Sequence, residues 1–163
     1  SVIDKPDIIK GLGSQCFDSE GVKTKTLKLV DKGILNHYLV DTYYGKKLNL
    51  KSNGRYGGPS NLYFDNGIVT YKDLLNSSSR CLYITETIGH GSNIVTGDYS
   101  VGATGFLIEN GEFKFPINEI TVAGNFKDIF QNITLANDLE FKYATNSPTM
   151  LIEGMTVAGK WRN

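Results

Sequence analysis

Gly105-Phe-Leu-Ile-Glu-Asn-Gly-Glu-Phe-Lys-Phe-Pro116 decides how the rest of the chain is read. Asn110-Gly111 between two apolar runs is the pairing that a two-residue type I′ turn demands, because both central residues need a positive φ. That turn sets Ile108 opposite Phe113 and Phe106 opposite Phe115, four large apolar side chains on one face of a hairpin. The same register opposes Glu109 and Glu112, a like-charge pair tolerable at a hairpin end. Around this hairpin the chain carries 18 glycines and only 4 prolines. Short alternating runs separated by glycine turns are the pattern of antiparallel strands.

Outward from the hairpin, the stretches 22–30 and 34–41 form a first hairpin about Asp31-Lys32-Gly33. Residues 45–68, with six glycines or prolines and few apolar runs, form a long irregular excursion of the sort that often carries function. Thr70 caps a short helix with Asp73 at the capping-box position and Tyr71, Leu74 and Leu75 on one face. A strand follows at 81–87. Asn125 caps a second helix with Asp128 at the capping-box position, and Phe126, Ile129, Phe130 and Ile133 form its apolar stripe. A last strand at 150–157 is interrupted by Gly154. The near-repeat of Ile120-Thr-Val-Ala-Gly124 as Met155-Thr-Val-Ala-Gly159 points to two related corners of a sheet. The expected fold is therefore α+β, predominantly antiparallel β in curved or barrel-like sheets with two short helices. It is read as a single domain over 1–163.

The 163 residues hold 17 basic and 17 acidic side chains, which gives no general attraction to nucleic acid. No apolar run approaches the roughly 18 residues that span a bilayer. Cys16 and Cys81 read as reduced, buried thiols, and the opening at Ser1 reads as the interior of a longer protein. His37 and His90 are a thin supply for zinc, and Gly89 and Gly91 work against a helix that would put Glu86 and His90 on one face. His90 is therefore read as a surface or hydrogen-bonded side chain. Ser92 and Ser100 lie in glycine-rich loops without an assigned base. Asp18 and Glu20, two apart, could perform acid/base work on one strand face, although a turn acid and an edge acid facing water is the plainer reading.

Phe17-Asp-Ser-Glu-Gly-Val22, Asp41-Thr-Tyr-Tyr-Gly45, Thr96-Gly-Asp-Tyr-Ser100 with Gly102 and Gly105, Glu109-Asn-Gly-Glu112 and Glu119-Ile-Thr-Val-Ala-Gly-Asn125 resemble the C-terminal part of TldD/PmbA proteins. The likeness runs in order over nearly the whole chain and is closer to the PmbA branch, also called TldE. The resemblance implies a cytoplasmic metalloprotease system, historically named for modulation of DNA gyrase. In it a zinc-bearing TldD-like subunit pairs with a PmbA-type subunit and cleaves unfolded peptides. The family's His-Glu-x-x-x-His helix and late cysteine do not occur here, so no catalytic residue, metal ligand or cofactor is expected in this chain, and zinc is expected on the partner. The loops holding Asp18, Glu20 and Gly21, then His90, Ser92 and Asn93, then Asp98, Tyr99 and Ser100 are the expected peptide-wall or interface elements. Asp98 and Tyr99 would order their turn. Neither nucleic acid nor membrane is an expected partner, self-pairing into a homodimer stays open, and a pure scaffold or peptide-binding module is the alternative role. A free-standing hydrolase using Asp18 and Glu20 is a third reading.

Overall fold

The computed structural model describes residues 1–159. In chain order the elements are β1 (Val2–Asp4), β2 (Leu27–Asp31), β3 (Ile34–Leu35), α1 (Thr42–Leu48), β4 (Leu62–Phe64), α2 (Tyr71–Asn76), β5 (Arg80–Ile88), β6 (Asp98–Glu109), β7 (Glu112–Asn125), α3 (Phe126–Gln131), β8 (Ile133–Leu135), β9 (Thr145–Asn146), β10 (Met150–Ile152) and β11 (Thr156–Ala158). Strands are mostly antiparallel, in sheets that curve without closing, so the expected α+β class holds. The described chain divides into two compact units, one of Ser1–Asn66 with Asp138–Pro148, the other of Gly67–Asn137 with the chain from Thr149 onward.

In the first unit a five-stranded sheet runs β3-β2-β1-β4-β9, with only the β4–β9 pair parallel. Ile3, Leu27 and Val40 are its buried apolar residues. The first hairpin exists but is shorter than the sequence suggested. Asp31 pairs with Ile34, so its turn is the two-residue Lys32-Gly33, both with positive φ. Beyond Leu35 the chain leaves the sheet, and Val40 is held instead by Asn53, whose backbone N–H donates to the Val40 carbonyl at 3.0 Å.

A third helix, α1, straddles the start of the expected excursion. Asp41 caps it by accepting the Tyr44 N–H at 2.7 Å, and Asn49 closes it in the left-handed region. Gly45 looks like a helix breaker in sequence. Its place is required because a Cβ there would come within 2.8 Å of the Leu50 carbonyl oxygen. The cost of a helical glycine is set against that close approach.

The second unit is built on a four-stranded sheet, β11-β7-β6-β5, and a two-stranded one, β10-β8. Its core gathers Val101, Ala103, Leu107, Ile117, Ile120 and Val122, with Leu82, Ile84 and Phe115 packed against them. The Asn110-Gly111 turn forms as expected, with Glu109 facing Glu112 and Ile108 facing Phe113. The like charges are relieved by separate cations, Arg80 at 3.6 Å from Glu109 and Lys114 at 2.6 Å from Glu112. One expected pairing fails. An extra residue on β7 sets Phe106 against Pro116 rather than Phe115. The bulge turns Phe115 to the core face, while Phe113 stays beside Phe106, ring centroids 5.7 Å apart, on the outer face with Tyr83. A second extra residue lies on β7 between Ile117 and Ile120, and a third on β5 between Ile84 and Glu86. Such insertions bend and twist a strand, which accounts for the curvature.

Both expected helices are present. Thr70 and Asp73 form the full capping box, and Leu74 is buried. Asn125 caps α3 by accepting the Lys127 N–H, but the expected box with Asp128 is not formed, because Asn125 still pairs with Asp98 as the last residue of β7. Of the expected stripe, Ile129 is buried and Phe130 is exposed, and Ile133 already belongs to β8. Gly154 splits the last strand in two, sending β10 to β8 and β11 to β7. The near-repeated pentapeptides are direct partners: Thr156 meets Ala123, Val157 meets Val122 and Ala158 meets Thr121. An antiparallel ladder centred on valine lets each Thr-Val-Ala read the other backwards.

Candidate functional site

In the first unit the expected acid pair separates by role. Asp18 is 3 % exposed and accepts the N–H groups of Glu20 and Val22 on Oδ1, at 3.0 and 2.9 Å, and that of Tyr56 on Oδ2 at 3.0 Å. Burial pushes its carboxyl up, but the three N–H donors and the Arg55 charge outweigh burial and hold it below the usual carboxylate range. Gly21, with positive φ, closes the same turn through its N–H to the Asp18 carbonyl. Glu20 turns elsewhere, accepting the Thr42 hydroxyl at 2.5 Å and the Thr42 N–H at 2.9 Å at the start of α1. The two carboxylates therefore staple two different segments and do not converge on a reacting atom.

Next to Tyr56 lies a cluster that sequence reasoning missed. The side chains of Asp4 and Arg55 have no exposure and form an ion pair through Arg55 Nε. The other oxygen of Asp4 accepts the Ser60 N–H at 2.9 Å and its hydroxyl at 2.8 Å. Arg55 donates onward to the carbonyls of Gly54 at 2.8 Å and Lys25 at 2.6 Å. Asn61, equally buried, accepts the Gly13 N–H and donates to the Lys5 carbonyl and the Ser14 hydroxyl. These partners lie up to 56 residues apart, so no local pattern betrays them. The one available signal was chemical. Arg55 is one of three arginines among 17 basic residues, and its planar fork of five donors suits a saturated buried site as lysine does not.

In the second unit the two remaining loops form one. The chain leaves β5, passes His90 and returns as β6, with Ser92 bridging to Tyr99 and the Ser100 N–H donating to the Gly91 carbonyl at 2.7 Å. Gly91 tolerates no side chain, since a Cβ would fall 1.9 Å from the Ser100 oxygen. Asn93 organises the tip by accepting the N–H groups of Val95 and Thr96 at 3.0 and 3.3 Å. Asp98 takes the Thr96 hydroxyl at 2.7 Å and the Asn125 amide at 3.1 Å, and those two hydrogen bonds hold its carboxyl below the usual range. Tyr99 rests on Phe126 with centroids 5.5 Å apart. Asp98 thus ties the turn together by side-chain hydrogen bonds, Tyr99 adds a ring contact, and Ile94 and Val95 are left exposed at the apex.

His90 is exposed on this loop, and the Ser92 hydroxyl donates to its carbonyl at 3.0 Å. Cys16 is an exposed free thiol, not the buried one expected, because it lies in the open turn before Phe17. Cys81 is a half-buried free thiol on β5 whose pKa burial pushes up, the opposite of an activated nucleophile. Among the described residues no three His, Cys, Asp or Glu side chains gather as a metal site requires, so these donors do not fit a zinc ion. No helix among them is long and apolar enough to cross a membrane.

This geometry can be set beside known proteins. The chain is 44 % identical over 161 residues to a metalloprotease PmbA homolog of Buchnera aphidicola and 40 % identical to metalloprotease PmbA of Escherichia coli, each match covering 98 % of this chain. It spans only 36 % of the length of either relative. A crystal structure of TldE from Thermococcus kodakarensis superposes with a TM-score of 0.82 at 25 % identity, over 97 % of this chain and 39 % of that one. A candidate modulator of a DNA gyrase from Thermotoga maritima superposes at 0.89 with 34 % identity, covering 97 % and 39 %. The family model of the PmbA/TldA metallopeptidase C-terminal domain matches residues 1–159, and the chain belongs to that family.

Proposed function

We propose that this chain is the PmbA/TldE-type domain of a cytoplasmic two-subunit peptidase for unfolded peptides, in which it supplies wall and subunit contact while a TldD-like partner carries the zinc. One observation carries this reading beyond family membership. The acids Asp18, Glu20 and Asp98, drawn from the loops the sequence singled out, are all committed to the protein's own N–H and O–H groups. Carboxylates held in this way fix loop shape, Asp18 through three accepted hydrogen bonds and Glu20 and Asp98 through two each. The domain therefore acts by form, excluding folded proteins and presenting backbone and apolar surface to an extended chain, with β5 at the edge of its sheet.

The test uses the full-length protein, alone and mixed with its TldD-like partner, with metal content and cleavage of an unfolded peptide as readouts. Cleavage is expected only from the pair, with the metal on the partner. Stoichiometric metal on this chain alone, or chelator-resistant hydrolysis by it that Asp18→Asn abolishes, overturns the reading. Capture and cleavage that persist when this domain is removed, with assembly alone lost, would assign a scaffold role instead.

A further inference from the structure

Three Asn-Gly pairs occur in the chain, Asn53-Gly54, Asn66-Gly67 and Asn110-Gly111. Each carries the chemistry of spontaneous deamidation, because a glycine nitrogen unhindered by a side chain can bond to Cγ of the preceding asparagine. The fold treats the three differently. Asn53 is held at both ends of its amide, Oδ1 accepting the Val40 N–H at 3.0 Å and Nδ2 donating to the Tyr38 carbonyl at 2.7 Å. The buried Arg55 guanidinium also grips the carbonyls of Asn53 and Gly54. Asn66 accepts the Leu139 N–H at 2.9 Å, and the Gly67 N–H is engaged with the Ala136 carbonyl at 2.8 Å. Asn110 is exposed at the hairpin end, and among the described residues no hydrogen bond reaches its side chain or the Gly111 N–H. Its backbone N–H alone is held, by the Ser79 carbonyl at 3.0 Å.

We propose that Asn110, reached by local opening of the hairpin end, is the chain's site of spontaneous deamidation, with water as co-reactant and aspartate or isoaspartate as product. The Gly111 nitrogen loses its proton and bonds to Asn110 Cγ, the Cγ–Nδ2 bond breaks, and Nδ2 leaves with that proton as ammonia. Water then opens the five-membered imide at either carbonyl, and nothing is oxidised or reduced. A closed type I′ turn, with φ 51° at Asn110 and 77° at Gly111, does not present the nitrogen to Cγ, so ring closure waits on fraying of the turn. Glu109 facing Glu112 favours that fraying, because like charges directly across a ladder repel. Neither residue of the pair is readily exchanged. Both need a positive φ, and a Cβ on Gly111 would fall 1.8 Å from Asn76 Oδ1. The stereochemistry that builds the turn therefore also retains the reactive sequence. Conversion sets a third carboxylate beside Glu109 and Glu112, and isoaspartate lengthens the turn by one backbone carbon, so the hairpin end loosens.

The experiment ages the full-length protein at physiological pH and temperature and follows each Asn-Gly pair by peptide mapping, with enzymatic methylation of isoaspartate as a second readout. Every rate is divided by that of the same segment as a short unfolded peptide. On that scale Asn110 should convert at least tenfold faster than Asn53 or Asn66. Glu112→Lys, which sets opposite charges across the turn, should slow conversion of Asn110 severalfold. The aged wild-type chain should exchange the amide hydrogen of residue 110 faster than the fresh one. Conversion of Asn53 or Asn66 at a rate matching Asn110 overturns the assignment, and so does an Asn110 that stays intact while its peptide converts fully. An unchanged rate in Glu112→Lys overturns the route through the opened hairpin end.

Discussion

Replacing Arg55 by methionine keeps most of the side-chain volume while removing every donor. In the native unit the guanidinium pairs with Asp4 and serves the carbonyls of Gly54 and Lys25, and both charged side chains are without solvent exposure. Without it, Asp4 keeps only the two Ser60 donors and remains a buried carboxylate lacking its counter-charge. Removing one member of a buried pair costs about 3–5 kcal/mol, against a total stability of roughly 5–15 kcal/mol. For a chain of this size that corresponds to a fall of about 6–20 °C in melting temperature. Urea titration followed by far-ultraviolet circular dichroism measures the loss. Asp4→Leu/Arg55→Met supplies the control, because removing both charges is far cheaper than removing one. The double variant should therefore be less destabilised than the sum of the two single ones by at least about 2 kcal/mol. A loss below about 1 kcal/mol for Arg55→Met, or simple additivity, refutes the claim that this pair cinches the 53–61 loop onto β1.

Asp18→Asn should destabilise the protein by about 1–3 kcal/mol at pH 7, since the buried carboxylate accepts three N–H groups. Because the Asp18 carboxyl is held below its unfolded value near 4, its contribution is present above that pH and is lost as pH falls through the folded value. The difference between variant and wild type should accordingly shrink in urea titrations taken below about pH 4, and a gap that stays constant there counts against the assignment. Gly91→Ala, with its Cβ 1.9 Å from the Ser100 oxygen, should open the loop and speed hydrogen exchange at Ser100, and unchanged protection would contradict the close approach. Asp98→Ala should release Thr96 and Asn125 together, seen as faster exchange of the Phe126 amide, which donates to the Gly97 carbonyl. Exchange no faster than wild type would show that Asp98 is not the clasp of the loop.

Much of the second unit was legible because its signals are local. Asn110-Gly111 dictates its turn whatever surrounds it, and Thr70 with Asp73 closes a box four residues long. Reading failed where a contact from elsewhere overruled the local pattern. Phe115 went to the core because a bulge on β7 shifted it, and bulges carry no reliable mark in the alternation of apolar and polar residues. The helix α1 was hidden by Gly45, a residue that argues against a helix unless one knows how closely the Leu50 carbonyl approaches. The site divided in the same way. The turn-ordering role of Asp98 could be anticipated from its neighbours, whereas nothing within ten residues of Asp18 announced that its third donor would be Tyr56.

By itself the amino-acid order determined the antiparallel class, the central hairpin, two of the helices with their caps, and the family to which the chain belongs. These rest on turn stereochemistry, capping and motifs, all of which act over a few residues. Only the tertiary structure decided that the promising carboxylates are staples and that Asp4 and Arg55 meet in the interior. Whether a charge is spent or available depends on which distant donors reach it once the chain has closed, and spacing along the sequence holds no record of that.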